Sequence, residues 1–214
     1  MIYSIKDEYN KRVVWKKTNI KGLIGIPSLG DWDELDFIKE LPFDWEKPVL
    51  DGNKQFSQKN RDTLIKLIKS KPDAKTFVEI GTATSFVGSS TETFITYKND
   101  NTDFITIDIE HKKRYPHNKP NVFYIESNSI NHYLAKYFAN KIDILFIDGD
   151  HSVKTVFKEY EFYLPFMKND SIIVLHDTTM HPGPFLFMEA IDENVFKKQI
   201  LHTNDYGLGI VYLS

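Results

Sequence analysis

Five short apolar runs recur along the sequence at wide intervals: TFVEI (76–80), FITID (104–108), VFYIE (122–126), DILFID (143–148) and SIIVLHD (171–177). Each is only a few residues long and rich in β-branched and aromatic residues, as expected for strands buried on both faces. The gaps between them leave room for crossover helices. VKTVFKEYEFYLPFM (153–167) has Val153, Val156, Phe157, Tyr160 and Leu164 at helical spacing, and SQKNRDTLIKLIKS puts Leu64, Ile65, Leu67 and Ile68 on one helical face behind Ser57 as N-cap. Strand–helix alternation of this kind means a parallel sheet with right-handed crossovers. KQILHT (198–203) and GLGIVYLS (207–214), joined by NDYG, read as a closing hairpin. The expected fold is an open α/β sheet, mostly parallel, ending in an antiparallel pair.

The 214 residues are enough for one domain and an attached segment. Residues 1–55, with Gly22, Gly25, Pro27, Gly30, Pro42, Pro48 and Gly52 and the tryptophans Trp15, Trp32 and Trp45, read as an irregular cap; residues 56–214 read as the domain. Lys+Arg at 27 against Asp+Glu at 30 leaves a net charge of -3, so no global basic field draws nucleic acid. The absence of cysteine excludes disulfides, zinc–thiolate sites and thiol nucleophiles. No run approaches the ~18 apolar residues of a membrane span, and the N-terminus lacks the apolar core of a signal peptide. A soluble, cytoplasmic protein without a membrane partner is expected.

In such a sheet ligands bind beyond the C-terminal ends of the strands, near the switch in strand order. The first run ends Glu79-Ile80-Gly81-Thr82 and leads into the Ser/Thr-rich ATSFVGSSTET. The P-loop ending Gly-Lys-Ser/Thr is absent, and G-x-G-x-x-G fails because residue 83 is Ala and residue 86 is Phe. Glu79 beside this loop repels a pyrophosphate and suits an amine-bearing cofactor; a Gly turn with a capping acid is the plainer alternative. Asp108 ends the second run where an acid can accept both hydroxyls of a ribose, or simply be solvated. Glu126-Ser127-Asn128-Ser129 follows the third with small polar groups. Phe146-Ile147-Asp148-Gly149-Asp150-His151 and Leu175-His176-Asp177-Thr178 end the fourth and fifth. Two carboxylates on one rim repel unless a cation lies between them, and Mg²⁺ with its oxygen ligands suits them. A lysine or a helix N-terminus holding one acid is the alternative.

Taken together, VEIGT, ITIDIE, ILFIDGDHSVKTVFKEYEFYLPFMKND and IIVLHDT resemble a class I S-adenosylmethionine-dependent methyltransferase. The nearer resemblance is to the macrocin O-methyltransferase and cephalosporin hydroxylase-like subfamily (methyltransferase family 24 type), over roughly residues 57–214. The resemblance implies a Rossmann-like seven-stranded sheet with helices on both faces and S-adenosylmethionine as cofactor. It implies cofactor contacts at Glu79, Gly81, Thr82, Ser85, Asp108, Asn128 and Asp148. It also implies a divalent metal, Mg²⁺, held by Asp148, Asp177 and Thr178, and His151 as the catalytic base. Three departures stand out. The second glycine of the loop arrives late, at Gly88, or is replaced by Ser85. Thr178 replaces an amide, with His176 or His181 as substitute ligands. Histidine replaces lysine at position 151.

The expected activity is O-methylation of a small-molecule or sugar hydroxyl, with a small molecule or glycan as partner and no nucleic acid. The sequence is compatible with a homo-oligomer but carries no code for one. A nicotinamide-dependent oxidoreductase would want the missing G-x-G-x-x-G. A nucleic-acid methyltransferase would want an Asn/Asp-Pro-Pro-Tyr type motif and a basic excess. A non-catalytic cofactor-binding or scaffolding module on the same fold is the remaining alternative. The acceptor would be shaped by residues 1–55 and by the loop after Asp177.

Overall fold

The computed structural model describes residues 13–28, 56–83, 87–110, 117–138 and 141–214. A two-stranded pair comes first, β1 (Val14–Lys16) with β2 (Ile26–Ser28), and the remaining strands form one seven-stranded sheet. These are β3 (Thr76–Ile80), β4 (Asp103–Asp108), β5 (Val122–Glu126), β6 (Ile142–Ile147), β7 (Met167–His176), β8 (Lys197–Leu201) and β9 (Leu208–Tyr212). Their order is β5-β4-β3-β6-β7-β9-β8. The strands from β5 to β7 are parallel; β9 runs antiparallel to β7 and β8 antiparallel to β9. The five apolar runs are thus the five parallel strands, and NDYG lies in the turn of the closing hairpin.

Alternation along each strand divides the core in two. Phe77, Phe104, Ile144, Phe146, Ile172 and Val174 face α1 (Gln58–Lys69) and α2 (Ser90–Tyr97), which contribute Leu64, Leu67, Ile68, Phe94 and Ile95. Val78, Ile80, Ile105, Ile107, Leu145, Ile147, Ile173 and Leu175 face α3 (Val153–Tyr163) and α4 (Pro182–Ala190). Serines set three of the helix starts: Ser57, Ser89 and Ser152 each accept a backbone N–H of the first turn. Pro182 opens α4, where its missing N–H costs nothing.

One expectation needs correction. β3 and β6 are buried along their whole length, but β5 is bonded only to β4, lies at the sheet edge and leaves Phe123 43% exposed. An apolar run does not distinguish an edge strand from a central one. Within the expected irregular segment, residues 13–28 are also more regular than their turn residues suggest. Val13 and Leu23 join the core under α3 and α4, the Ile24 N–H donates to the Ala190 carbonyl, and the Tyr160 hydroxyl donates to the Lys21 carbonyl at 2.6 Å. Trp32 and Trp45 lie outside the described residues.

Candidate active site at the strand switch

Adjacent strands β3 and β6 lead their crossovers to opposite sides of the sheet, and the register brings their ends level. Ile80 pairs with Ile107 and with Ile147, and Ile147 pairs with Leu175. Asp108, Gly81, Asp148 and His176 therefore follow one another across a single rim. Residues from these ends line a cavity of about 1190 Å³, with Asp108, Asn128, Asp148, His151, Asp177 and His181 in its wall.

Gly81 has φ +87°, and a Cβ there would come within 2.1 Å of the Asp148 carbonyl oxygen. The glycine is required by the close approach of the β3 and β6 loops, not only by a ligand. The Thr82 N–H donates to one Asp108 carboxylate oxygen at 2.9 Å and the Glu110 N–H to the other at 3.0 Å. These bonds fix the carboxylate at the edge of the cavity, an orientation that suits a ribose diol. Glu79 is fully buried beneath the loop, not in the cavity wall. Its Oε2 accepts from the Thr91 and Thr106 hydroxyls at 2.8 and 2.7 Å, and Thr91 in turn accepts the Ala83 N–H. Burial pushes the Glu79 carboxyl up to about 7 against those hydrogen bonds. Asn128 stands exposed on the rim, its side-chain oxygen accepting the Ile130 N–H. Ser85 lies outside the described residues.

The acids and histidines converge. His151 Nε2 lies 3.1 Å from Asp177 Oδ2 and 4.0 Å from Asp148 Oδ1, and its ring stacks on His181 with centroids 4.4 Å apart. His176, 2% exposed, places Nδ1 3.2 Å from Asp148 Oδ1 and 3.3 Å from Asp177 Oδ1. Burial opposes charge on every one of these groups, but the imidazole–carboxylate attractions outweigh it. They hold Asp177 well below the usual carboxylate range, raise His151, and push His176 up to about 10. His181 is lowered, by burial and by the neighbouring His151. Among the described residues, two sets of ligand atoms lie within 4.8 Å of one another: His151, Asp177 and His181, and Asp148, His176 and Asp177. Thr178 is fully buried, and its hydroxyl faces Gly207 in the hairpin turn rather than the cavity wall.

Sequence reasoning missed Glu159. It looks like one more residue of an amphipathic helix, yet it is 1% exposed, lines the cavity and accepts from the Ser129 hydroxyl at 2.6 Å. Burial pushes its carboxyl up to about 7. The signal was a lone acid on the apolar face of 153–163, four residues before Tyr163, whose hydroxyl donates to the Ser129 carbonyl.

Residues 78–178 match the family model described as a methyltransferase domain. No curated protein matches the chain. Among solved structures, MycE methyltransferase from the mycinamycin biosynthetic pathway, in complex with Mg, SAH and mycinamycin VI, superposes with a TM-score of 0.55 at 11% identity. That match covers 73% of this chain and 50% of MycE, so the chain spans about half of its length. The calicheamicin methyltransferase CalS11 superposes at 0.52 with 12% identity, covering 73% of this chain and 80% of the other. An rRNA methylase from Streptococcus thermophilus also superposes at 0.52, with 12% identity, covering 73% and 95%. At these identities the structures speak for the fold alone. The matched segment runs from β3 to just past the end of β7 and holds most of the rim, with Phe56, His181 and Tyr206 outside it; over this segment the chain is similar to a methyltransferase domain, on a fold shared with known methyltransferases.

Proposed function

We propose that the protein is an O-methyltransferase that moves the methyl group of S-adenosylmethionine to a hydroxyl of a small molecule or sugar. The observation that carries the reading is the continuity of the rim: the ribose-type acceptor Asp108 and the Asp148–His151–Asp177 cluster share one cavity. MycE and CalS11, a TDP-rhamnose 3'-O-methyltransferase, support the acceptor class by likeness only. Residues 56–214 are the cofactor-binding domain in this reading.

Asp108 would hold the ribose, Gly81 would face the methionine part, and Asn128 would border the adenine. When bound, the sulfonium supplies the electrophilic methyl, and positioning an acceptor oxygen in line with it is the first task of the cavity. The second is the acceptor proton. Free imidazole near 6.5 against roughly 15.7 for water, as a stand-in for an alcohol, leaves about nine units, on the order of 12 kcal/mol. His151 does not cover that gap by full deprotonation before attack. It would take the acceptor's proton as the new carbon–oxygen bond replaces the methyl's bond to sulfur and the neutral thioether leaves, while Asp177, bonded to its Nε2, orients the ring and stabilises the imidazolium. The carboxylates of Asp148 and Asp177 also fit a divalent cation, whose chemistry is to lower the pKa of a nearby hydroxyl.

The test is calorimetric titration with S-adenosylhomocysteine. Micromolar binding to the wild type is expected, with a loss of about tenfold or more in Asp108→Ala, or about 1.4 kcal/mol. Absence of binding to the wild type overturns the reading.

A further inference from the structure

We propose that His176 is a metal ligand, its Nδ1 joining one carboxylate oxygen each of Asp148 and Asp177 in a mixed nitrogen–oxygen site that prefers a divalent transition ion such as Mn²⁺ to Mg²⁺. The proposal rests on the reading above insofar as it treats this cluster as the reaction centre.

All three donor atoms lie within 4.8 Å of one another, and the two separations that involve His176 suit neighbouring corners of an octahedron. At metal–ligand bonds of about 2.1 Å, adjacent donors are roughly 3.0 Å apart. Nδ1 of His176 lies 3.2 Å from Asp148 Oδ1 and 3.3 Å from Asp177 Oδ1, so a small common displacement admits an ion. Asp177 Oδ1 is buried and, apart from the His176 imidazole 3.3 Å away, meets no donor, as expected of an atom that serves a ligand rather than the fold. Asp177 itself is held at φ 60°, a left-handed conformation that a non-glycine residue adopts at a cost, and that cost aims its carboxylate at the cluster.

The imidazole is also braced as a ligand should be. Its ring is flanked by Phe56 and Tyr206 at 5.4 and 6.0 Å between centroids, and the Asn60 amide lies 3.2 Å from Nε2. A metal on Nδ1 puts the ring proton on Nε2. Asn60 Oδ1, buried and without a partner, is the acceptor that a turn of the amide would present to it. Thr178, the residue that would complete an all-oxygen set, turns its hydroxyl towards Gly207 in the hairpin instead. The third protein ligand is then nitrogen. Imidazole favours transition ions, whereas Mg²⁺ favours oxygen and gives up its water reluctantly.

The test uses the full-length, metal-free protein with Mn²⁺ and Mg²⁺ as probes. Calorimetric competition should show one Mn²⁺ site, with Mg²⁺ weaker by about tenfold or more. Electron spin-echo spectroscopy of bound Mn²⁺ should show a directly coordinated nitrogen that is lost in His176→Ala and kept in His151→Ala and His181→Ala. Four results overturn the proposal: no metal binding, equal affinity for the two ions, Mn²⁺ bound without a coordinated nitrogen, or a nitrogen signal lost only with His151 or His181. The wild-type spectrum stands whether or not the variant folds. S-adenosylhomocysteine binding, measured alongside, separates the two readings: its absence with Mn²⁺–nitrogen coupling intact removes the methyltransferase and leaves the metal ligand.

Discussion

His151 sits where two opposing effects meet. Burial favours its neutral form, whereas its hydrogen bond to Asp177 and the charge of Asp148 favour the cation, and together they raise it above 6.5. A base must be neutral to take a proton. With Asp148 and Asp177 free of metal, methyl transfer should therefore rise with pH through a value above 6.5 and then level off, as read from a pH–rate profile of kcat without added metal. His151→Ala should lower kcat by on the order of 10²–10⁴-fold and remove that limb of the profile. An unchanged profile in the variant would assign the limb to another group, with His181 the nearest candidate.

The loop after β3 shows how an element is shaped by its neighbour. Gly81 donates its N–H to the Ile107 carbonyl, Asp148 donates to the Ile80 carbonyl, and the two loops touch along the Gly81–Asp148 backbone. Gly81→Ala has to move the β6 loop and hold a left-handed φ. Chemical denaturation should show a loss of at least about 2 kcal/mol, with weaker S-adenosylhomocysteine binding because Asp108 and Asp148 no longer stay level. A stable variant with intact binding would show that the loops separate freely. At the other end of the rim the same logic explains Thr178. Its hydroxyl packs against Gly207 because β9 pairs with β7 and brings the hairpin turn beside the end of β7, a relation that no motif around residue 178 contains.

On the scale of the whole molecule, two buried carboxyls on opposite faces of the sheet tie folding to pH. Glu79 lies towards α1 and α2 and Glu159 on α3, and burial pushes each to about 7 from 4.5. Below about 4.5 both are protonated in the folded and the unfolded chain. Between 4.5 and 7 the folded chain binds more protons, so stability falls as pH rises through that window and is level for these groups above it. For Glu79 the fall is about 3 kcal/mol. Glu79→Gln should flatten that part of the stability profile in urea titrations from pH 4.5 to 7.5. A difference between wild type and variant that does not vary with pH would show that Glu79 is ionised when folded.

Fold class, strand positions and the closing hairpin were legible in the sequence because they depend on local pattern: run length, apolar content and turn residues. The rim was legible too, since parallel strands bring their C-terminal ends to one side, and Asp108, Asp148, His151 and Asp177 each follow a strand. Only the tertiary structure decided which polar groups at those ends face one another. It put His176 between two carboxylates, turned Thr178 into the hairpin, and buried Glu79 under its loop and Glu159 in the cavity wall. It also made β5 an edge. These outcomes depend on strand order, register and the close approach of loops distant in sequence. A residue's own neighbours in the chain carry the pattern that forms a strand, whereas the charge it meets beyond the strand belongs to another one.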